Sequence, residues 1–315
     1  MKMTFKKLFS AFMCAAVIGA SAVPAYAELQ TSVVMNDMNA SVSEWDGKTK
    51  LKEGKEYVVS KNITVSKKIT IPKGAKVTIK NGAKLWVSSK GKLYVKGTLR
   101  IDKGATLAVT GTLYEYGSKT IANYGTISFS SKSNVTLNGK FYNKSTGVVK
   151  GEPKKLTVGA KATLSDAGKI SSKKLTKVLI ADMIDDLYTY AMVKDDMYSA
   201  VKSVLPEDML KNIEKIYAEE NETSFEDFCK EFGKVFADEI KAEYGLTPDS
   251  VDVVVTKVTD ITPDEQQKGA LDNFYKGYRR FVSVTAEVSL VENDQVVSEK
   301  IQLNAVLLGT RWYQL

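Results

Sequence analysis

Gly82-Ala-Lys-Leu-Trp-Val is one of several similar pieces between about Ile71 and Gly151, each a glycine turn followed by a very short alternating strand. The glycines of these pieces recur at fixed intervals. Gly82, Gly104, Gly125 and Gly147 are 22, 21 and 22 residues apart, and Gly74, Gly97, Gly117 and Gly139 are 23, 20 and 22 apart. A repeat of about 21 residues holding roughly three turn-strand pieces is typical of a parallel β-helix, in which each coil buries its apolar side chains by stacking on the next.

The alternation within each piece predicts which side chains point into the solenoid. The stretch from residue 57 to 165 has room for about five coils, so the predicted fold is a parallel β-helix of about five coils. The predicted inward pairs are Val77 and Ile79, Leu85 and Val87, Leu93 and Val95, Leu99 and Ile101, Leu107 and Val109, Ile127 and Phe129, and Val135 and Leu137.

Part of the repeat region resembles a known class of protein module. The run Ile69-Thr-Ile-Pro-Lys-Gly-Ala-Lys-Val-Thr-Ile-Lys-Asn-Gly-Ala-Lys-Leu resembles the opening coils of right-handed β-helix modules in secreted bacterial surface proteins. The repeats are also similar in pattern to those of bactofilin polymers, which are cytoplasmic. The resemblance covers about a third of the chain and implies a fold more than a function.

The N-terminus has the features of a secretory signal peptide. Basic residues precede an apolar run from Leu8 to Val23, and Ala25-Tyr-Ala27 provides the small residues of a cleavage site. Residues 1–27 are therefore predicted to be removed, giving a secreted, extracellular product that is either released or retained on the cell wall. Removal also takes away Cys14 and leaves Cys229 alone, so no internal disulfide is expected.

Composition divides the rest of the chain. Residues 57–151 carry seventeen basic side chains against Asp102 and Glu115, a formal net charge of +15, whereas residues 177–315 carry 15 basic and 27 acidic side chains, a net charge of −12. We therefore predict an N-terminal cap over 28–56, the β-helix over 57–165, a linker over 166–176 and a second domain over 177–315. The opposite charges also allow self-association between molecules.

The second domain is predicted to be an α+β domain with three helices followed by an antiparallel sheet. The helices run from about Lys174 to Met197, from Pro206 to about Glu220, and onward from Ser224. Strands follow at 251–258, 281–290 and 296–308, and the chain ends in Arg311-Trp-Tyr-Gln-Leu. The segments Val258-Thr-Asp-Ile and Leu308-Gly-Thr-Arg-Trp-Tyr resemble small exported domains of the nuclear-transport-factor-like (cystatin-like) cone class, which includes enzymes and noncatalytic binding modules.

The predicted outward positions of the solenoid carry aromatic and basic side chains. Tyr94 and Tyr114 each follow a glycine by three residues, so they are predicted to be neighbours in consecutive coils. Flat aromatics interleaved with lysine are suited to a sugar chain or an anionic polymer, although such ladders also stabilise sheets and keep strand edges soluble. The candidate polymer-binding residues are Trp86, Tyr94, Arg100, Tyr114, Tyr142, Lys84, Lys92 and Lys96.

The sequence gives little support for a catalytic function. The chain has no histidine, which excludes Ser-His-Asp and Cys-His arrangements and histidine-ligated zinc. The spacing of Asp102 and Glu115 does not match the coil period, so no stacked carboxylate pair is expected. Nothing in the sequence predicts a cofactor, a nucleic-acid motif or, after signal cleavage, a membrane span.

Two further features of the second domain bear on its chemistry. Asp182, Asp185 and Asp186 fall on one helical face, where they form a weak candidate for a metal site, and a solvated acidic face is the alternative. Cys229 borders the apolar stripe of the third helix, which favours a core role over a nucleophilic one.

The resulting hypothesis is a noncatalytic secreted bacterial protein whose basic solenoid binds an anionic or carbohydrate polymer, such as teichoic acid or an acidic glycan. A polysaccharide lyase or hydrolase is the first alternative. A structural spacer that assembles head to tail through its opposite charges is the second.

Overall fold

A computed structural model describes residues 42–159, 161–221 and 223–315. The predicted signal peptide, Cys14 and the first part of the predicted cap lie outside these residues. Internal contacts divide the described chain into two units, with the boundary between Val178 and Leu179.

The first unit is a parallel β-solenoid of about five turns, as predicted. Its strands form three parallel sheets, which we call faces 1, 2 and 3 in the order in which the chain visits them. Face 1 consists of β1 Ser43–Glu44, β2 Glu56–Val59, β5 Lys76–Ile79, β8 Thr98–Ile101, β11 Thr120–Asn123, β14 Lys140–Asn143 and β17 Thr163–Asp166. Face 2 consists of β3 Ile63–Val65, β6 Lys84–Val87, β9 Thr106–Val109, β12 Thr126–Phe129, β15 Val148–Lys150 and β18 Lys169–Ile170. Face 3 consists of β4 Lys68–Ile71, β7 Lys92–Val95, β10 Thr112–Glu115, β13 Asn134–Leu137 and β16 Lys155–Val158.

The solenoid core confirms the predicted alternation. Each of the predicted inward residues is at most 5% exposed. In register, Leu85 pairs with Leu107 and Val87 with Val109, so apolar side chains stack on equivalent apolar side chains of the next coil. This continuous apolar column stabilises strands of only three or four residues, which would not be stable alone.

The glycine columns correspond to the corners between faces. Between faces 3 and 1 the corners alternate in length: 72–75 and 116–119 have four residues, and 96–97 and 138–139 have two. A two-residue corner lies directly on a four-residue one, and a Cβ atom at Gly97 would lie 2.2 Å from the carbonyl oxygen of Ala75. Such an approach is too close for any side chain, so glycine is required there.

Residues 42–55 precede the first coil and lie against its face 1 strand. Strand β1 pairs in parallel with β2 at Tyr57 and Val58, and the Trp45 side chain is buried, with its Nε1 donating to the carbonyl oxygen of Thr49 at 2.9 Å. This pairing covers part of the edge of β2, which limits edge-to-edge association at this position.

The segment 166–176 was predicted to be a short polar linker. It contains β18, whose Lys169 and Ile170 pair with Val148 and Val149, and it includes the start of a helix at Lys173. The Glu152 carboxylate accepts hydrogen bonds from the backbone N–H groups of Lys173 and Lys174. A carboxylate at a helix N-terminus satisfies free N–H groups and offsets the helix dipole, so this start is fixed to the last coil.

The second unit contains a helical layer and a separate antiparallel sheet. Its helices are α1 Lys173–Tyr188, which begins before the unit boundary, a π-helical turn Thr189–Val193, α2 Met197–Val204, α3 Glu207–Glu220, α4 Phe225–Tyr244 and α5 Glu265–Phe274. The sheet has the strand order β19 Ser250–Asp260, β20 Arg280–Glu292, β21 Gln295–Leu308 and β22 Arg311–Gln314.

The helical layer differs from the prediction in two places. The single helix predicted from Lys174 to Met197 is interrupted, because Asp195 has a φ of 49° and Asp196 caps α2 by accepting a hydrogen bond from the Ser199 N–H at 2.9 Å. Helix α5 was not predicted, although Asp264 and Gln267 form a capping box at its start. The predicted N-cap Ser224 is confirmed: its Oγ accepts from the Asp227 N–H at 3.1 Å.

The sheet is close to its predicted extent. Strands β20 and β21 are joined by Asn293 and Asp294, whose φ angles of 47° and 68° are those of a tight two-residue hairpin. The predicted apolar side of β20, from Val282 to Val288 in steps of two, is buried in the main core of this unit. Among the described residues, no helix combines the length and apolar character needed to cross a membrane.

Candidate functional site

Face 3 carries two rows of outward side chains, one of three lysines with two uncharged polar residues and one of aromatic or hydroxyl residues. The first row is Lys68, Lys92, Thr112, Asn134 and Lys155, and the second is Thr70, Tyr94, Tyr114, Thr136 and Thr157. Each row runs along the solenoid axis with about 4.8 Å between strands. No outward position of the five strands holds a carboxylate.

Three tyrosine rings on this face are in mutual contact, and we call them the tyrosine cluster. Tyr94 and Tyr114 are register partners with ring centroids 5.8 Å apart, which confirms the predicted neighbourhood. Tyr116 joins them from the following corner, 4.7 Å from Tyr114 and 6.2 Å from Tyr94. The sequence prediction did not include Tyr116, although its spacing of two from Tyr114 is the period that places side chains on the same side of a strand.

Two lysines lie over rings of the tyrosine cluster. The Nζ atom of Lys68 is 5.1 Å from the centroid of Tyr94, and that of Lys96 is 4.7 Å from the centroid of Tyr116. These are cation–π distances, and each ring therefore limits the positions that its lysine ammonium group adopts. Lys68 and Lys92 are also direct register partners in adjacent coils, which places like charges side by side.

Positive charge on face 3 is not neutralised within the solenoid. Among the described residues of the solenoid, the ion pairs involve Lys76 with Glu56, and Lys80 and Arg100 with Asp102. All of them lie on face 1 or at its corner with face 2. Face 1 is therefore partly compensated in charge, whereas the lysines of face 3 repel each other and attract anions.

The other predicted binding residues lie on different faces, so the expected single aromatic surface is not formed. Trp86 and Lys84 lie on β6 of face 2, where Trp86 is 41% exposed and its Nε1 donates to Thr110 Oγ1 at 3.0 Å. Arg100 and Tyr142 lie on face 1. The Arg100 guanidinium is 4.4 Å from the ring centroid of Tyr124 and is already paired with Asp102. Of the predicted set, face 3 and its corner bring together Tyr94, Tyr114, Lys92 and Lys96.

Beneath the tyrosine cluster, Glu115 points into the core. Its side chain is fully buried, and its register partners in the adjacent coils are Val95 and Leu137. Oε2 accepts a hydrogen bond from the Gly139 N–H at 3.2 Å, and Oε1 is buried without a partner among the described residues. Burial raises the pKa of this carboxyl to about 7.

A second polar column lies in the core below face 1. Asn123 Nδ2 donates to Asn143 Oδ1, and Asn143 Nδ2 donates to Asp166 Oδ1, both at 2.8 Å. The equivalent positions of earlier coils are Ile79 and Ile101, so the column changes from apolar to amide in mid-solenoid. Stacked amides form hydrogen bonds along the axis and favour one register between coils.

The acidic cluster that was the candidate metal site lies on α1. Asp182 is exposed and Asp185 and Asp186 are partly buried, and Arg311 Nη2 is 3.5 Å from Asp186 Oδ2. Burial and the neighbouring charges of Asp186, Asp182 and Asp252 raise the pKa of Asp185 to about 6. Within the described ranges, no three acidic or cysteine side chains are arranged to hold a metal ion.

Cys229 is buried in the core of the second unit. Burial raises the pKa of its thiol to about 12, so the thiol is protonated at neutral pH. This environment agrees with the predicted core role of the side chain.

No protein-family model, no curated protein and no solved structure matches this chain.

Proposed function

We propose that this chain is an exported, noncatalytic protein that binds a polymer along face 3 of its solenoid. The observation that carries the proposal is the coincidence, on one face, of the tyrosine cluster, of Lys68, Lys92 and Lys96, and of outward positions without any carboxylate. A straight face with a repeat along its axis is suited to an extended chain molecule, which can make equivalent contacts with successive coils.

The positions of the carboxylates support a binding role rather than hydrolysis or elimination. Enzymes that cleave glycosidic bonds by acid-base catalysis use two carboxyl groups on opposite sides of the bond. In the repeat region Glu115 is buried, and Asp102 is held by Arg100 Nε at 2.6 Å and by Lys80. Neither group is available to a polymer on face 3.

Export is part of the proposal and rests on the signal-peptide pattern of residues 1–27. Cleavage after Ala27 gives a mature protein that begins at Glu28, which N-terminal sequencing of culture supernatant tests directly. The anionic and carbohydrate polymers of a bacterial surface are then within reach of the solenoid. Recovery of protein that still begins with Met1 would contradict export.

We further propose that the coils are right-handed and that the second unit belongs to the nuclear-transport-factor-like cone class. Helices α1 to α4 precede the sheet, and its four antiparallel strands lie side by side in chain order and end in Trp312 and Tyr313, with α5 between β19 and β20. This order supports the assignment of the second unit. Such domains include many noncatalytic modules, so a protein or small ligand of the second unit is compatible with polymer binding by the solenoid.

A charge-matched pair of variants tests the proposed face. Lys68, Lys92 and Lys96 changed together to Gln remove three positive charges from face 3 and its corner, and Lys84, Lys140 and Lys150 changed to Gln remove three from faces 1 and 2. Binding of the full mature chain to teichoic acid and to polygalacturonate is measured at low salt. We expect the first variant to lose affinity and the second to retain most of it. Equal loss in both would show that net charge, and not face 3, determines binding.

A further inference from the structure

We infer that the polymer on face 3 is a polyanion recognised by lysine ammonium groups that the tyrosine cluster holds in place, and that its sugar rings do not stack on the tyrosines. This inference rests on the proposed function. It selects one of the two ligand classes, anionic or carbohydrate, that the sequence left open.

The first argument concerns the faces of the tyrosine rings. A sugar ring stacks on an aromatic side chain only where the flat face of that side chain is free. In the tyrosine cluster, Lys68 lies over Tyr94 and Lys96 lies over Tyr116, at 5.1 and 4.7 Å from the ring centroids. The ring planes are inclined to one another by 41° to 52°, so they do not form a common flat platform.

Tyr114, the third ring, is also engaged. Its centroid is 5.8 Å from that of Tyr94 and 4.7 Å from that of Tyr116, so the three rings contact one another in a triangle. Its hydroxyl accepts a hydrogen bond from Asn138 Nδ2 at 3.1 Å. A sugar that stacked on this cluster would have to displace a lysine from its ring or separate the rings.

The second argument concerns the lysines. Lys68 and Lys92 are register partners, and Lys67 and Lys90 lie in the corners that precede β4 and β7. These four exposed ammonium-bearing side chains belong to two adjacent coils, and among the described residues none of them is in an ion pair. Like charges at this spacing destabilise the free protein, and a chain carrying repeated anionic groups removes the repulsion.

Recognition by charge can be tested by comparing two polymers that share one sugar backbone with a third polymer that has no sugar. Polygalacturonate and its fully methyl-esterified form have the same sugar ring and linkage, but the ester has lost its charge. Long-chain inorganic polyphosphate has the charge and no sugar. We expect the full mature chain to bind polygalacturonate and polyphosphate and not the methyl ester.

Salt dependence and two substitutions provide further readouts. With about 0.7 counterions released per neutralised charge of a single-stranded polyanion, changing Lys68, Lys92 and Lys96 to Gln should reduce the slope of log affinity against log salt by about 2. Tyr94→Leu removes the ring beneath Lys68 and should weaken polygalacturonate binding about threefold, whereas Tyr94→Phe keeps the ring and the affinity. Trp86→Leu on face 2 is the matched control and should have no effect.

The possible outcomes separate the two proposals. If none of the three polymers binds, the proposed function fails. A second result is that the methyl ester binds as tightly as polygalacturonate, and that the triple change of Lys68, Lys92 and Lys96 to Gln lowers the affinity for both polymers. That result would support polymer binding on face 3 and show that recognition by charge is wrong. Failure of polyphosphate to bind while polygalacturonate binds would also overturn the inference, because it would show that the sugar is required.

Discussion

Replacing Glu115 by Gln should remove a pH-dependent loss of stability from the solenoid. The folded-state pKa of this buried carboxyl is about 7, against an ordinary value of 4.5. Between these two pH values the unfolded chain has released the proton and the folded chain retains it. The folded state therefore binds more protons, and the free energy of unfolding falls as the pH rises through this range.

The size of the effect follows from the pKa difference. Each pKa unit corresponds to about 1.4 kcal/mol, so ionising Glu115 destabilises the solenoid by about 3 kcal/mol at pH 8 relative to pH 4. The chain has no histidine, whose side chain would otherwise titrate in the upper part of this window. Asp185 titrates with a pKa of about 6, but it belongs to the second unit.

Urea unfolding from pH 4 to pH 8 measures this loss. Trp45 and Trp86 report on the solenoid by fluorescence, and a Trp312→Phe background removes the tryptophan of the second unit. Glu115→Gln should have a solenoid stability that is nearly independent of pH between 4.5 and 8. Glu115→Leu, which introduces the residue found at the equivalent position 137, should do the same and be more stable than the wild type at pH 8. If the wild type and Glu115→Gln lose stability in parallel as the pH rises, the buried carboxyl is not the cause.

Three further substitutions, two of them with a matched control substitution, test the fold. Leu107→Asp should lower the stability of the solenoid by several kcal/mol because it places a charge in the stacked core. The outward substitution Thr106→Asp should have a much smaller effect. Equal melting temperatures for the two variants would refute the inward and outward assignment of these residues. Gly111→Ala should cost roughly 2–3 kcal/mol because its Cβ would lie 2.2 Å from two carbonyl oxygens. Gly117→Ala, whose Cβ has 3.6 Å to its nearest contact, should change stability by less than about 1 kcal/mol in urea titrations. Ser224→Ala should destabilise the second unit by about 1 kcal/mol through loss of its N-cap, as judged by thermal unfolding.

Sequence patterns predicted the solenoid well because burial there has a period of two. Leu107 and Val109 alternate with Thr106 and Ala108, and the strand is too short for the pattern to drift. The neighbourhood of Tyr94 and Tyr114 was predictable for the same reason, since both follow a glycine by the same number of residues.

The distribution of outward side chains among three faces was not predicted. Assigning Trp86 to face 2 requires the length of every preceding corner to be known. Alternation alone does not show where a strand ends and a corner of two or four residues begins. Tyr116 was missed because it lies in a corner, although the period of two continues for this one residue past the end of β10. In the second unit, the helix break at Asp195 depends on one left-handed residue within an otherwise helical pattern.

The alternating corners between faces 3 and 1 limit how a solenoid of this kind can change its length. A duplication or deletion of one coil would place two corners of equal length against each other, and Gly97 would no longer lie on the four-residue corner that it fits. A duplication of two coils preserves the order of long and short corners. Coils are therefore expected to be gained or lost two at a time. Relatives of different length should differ by such pairs of coils.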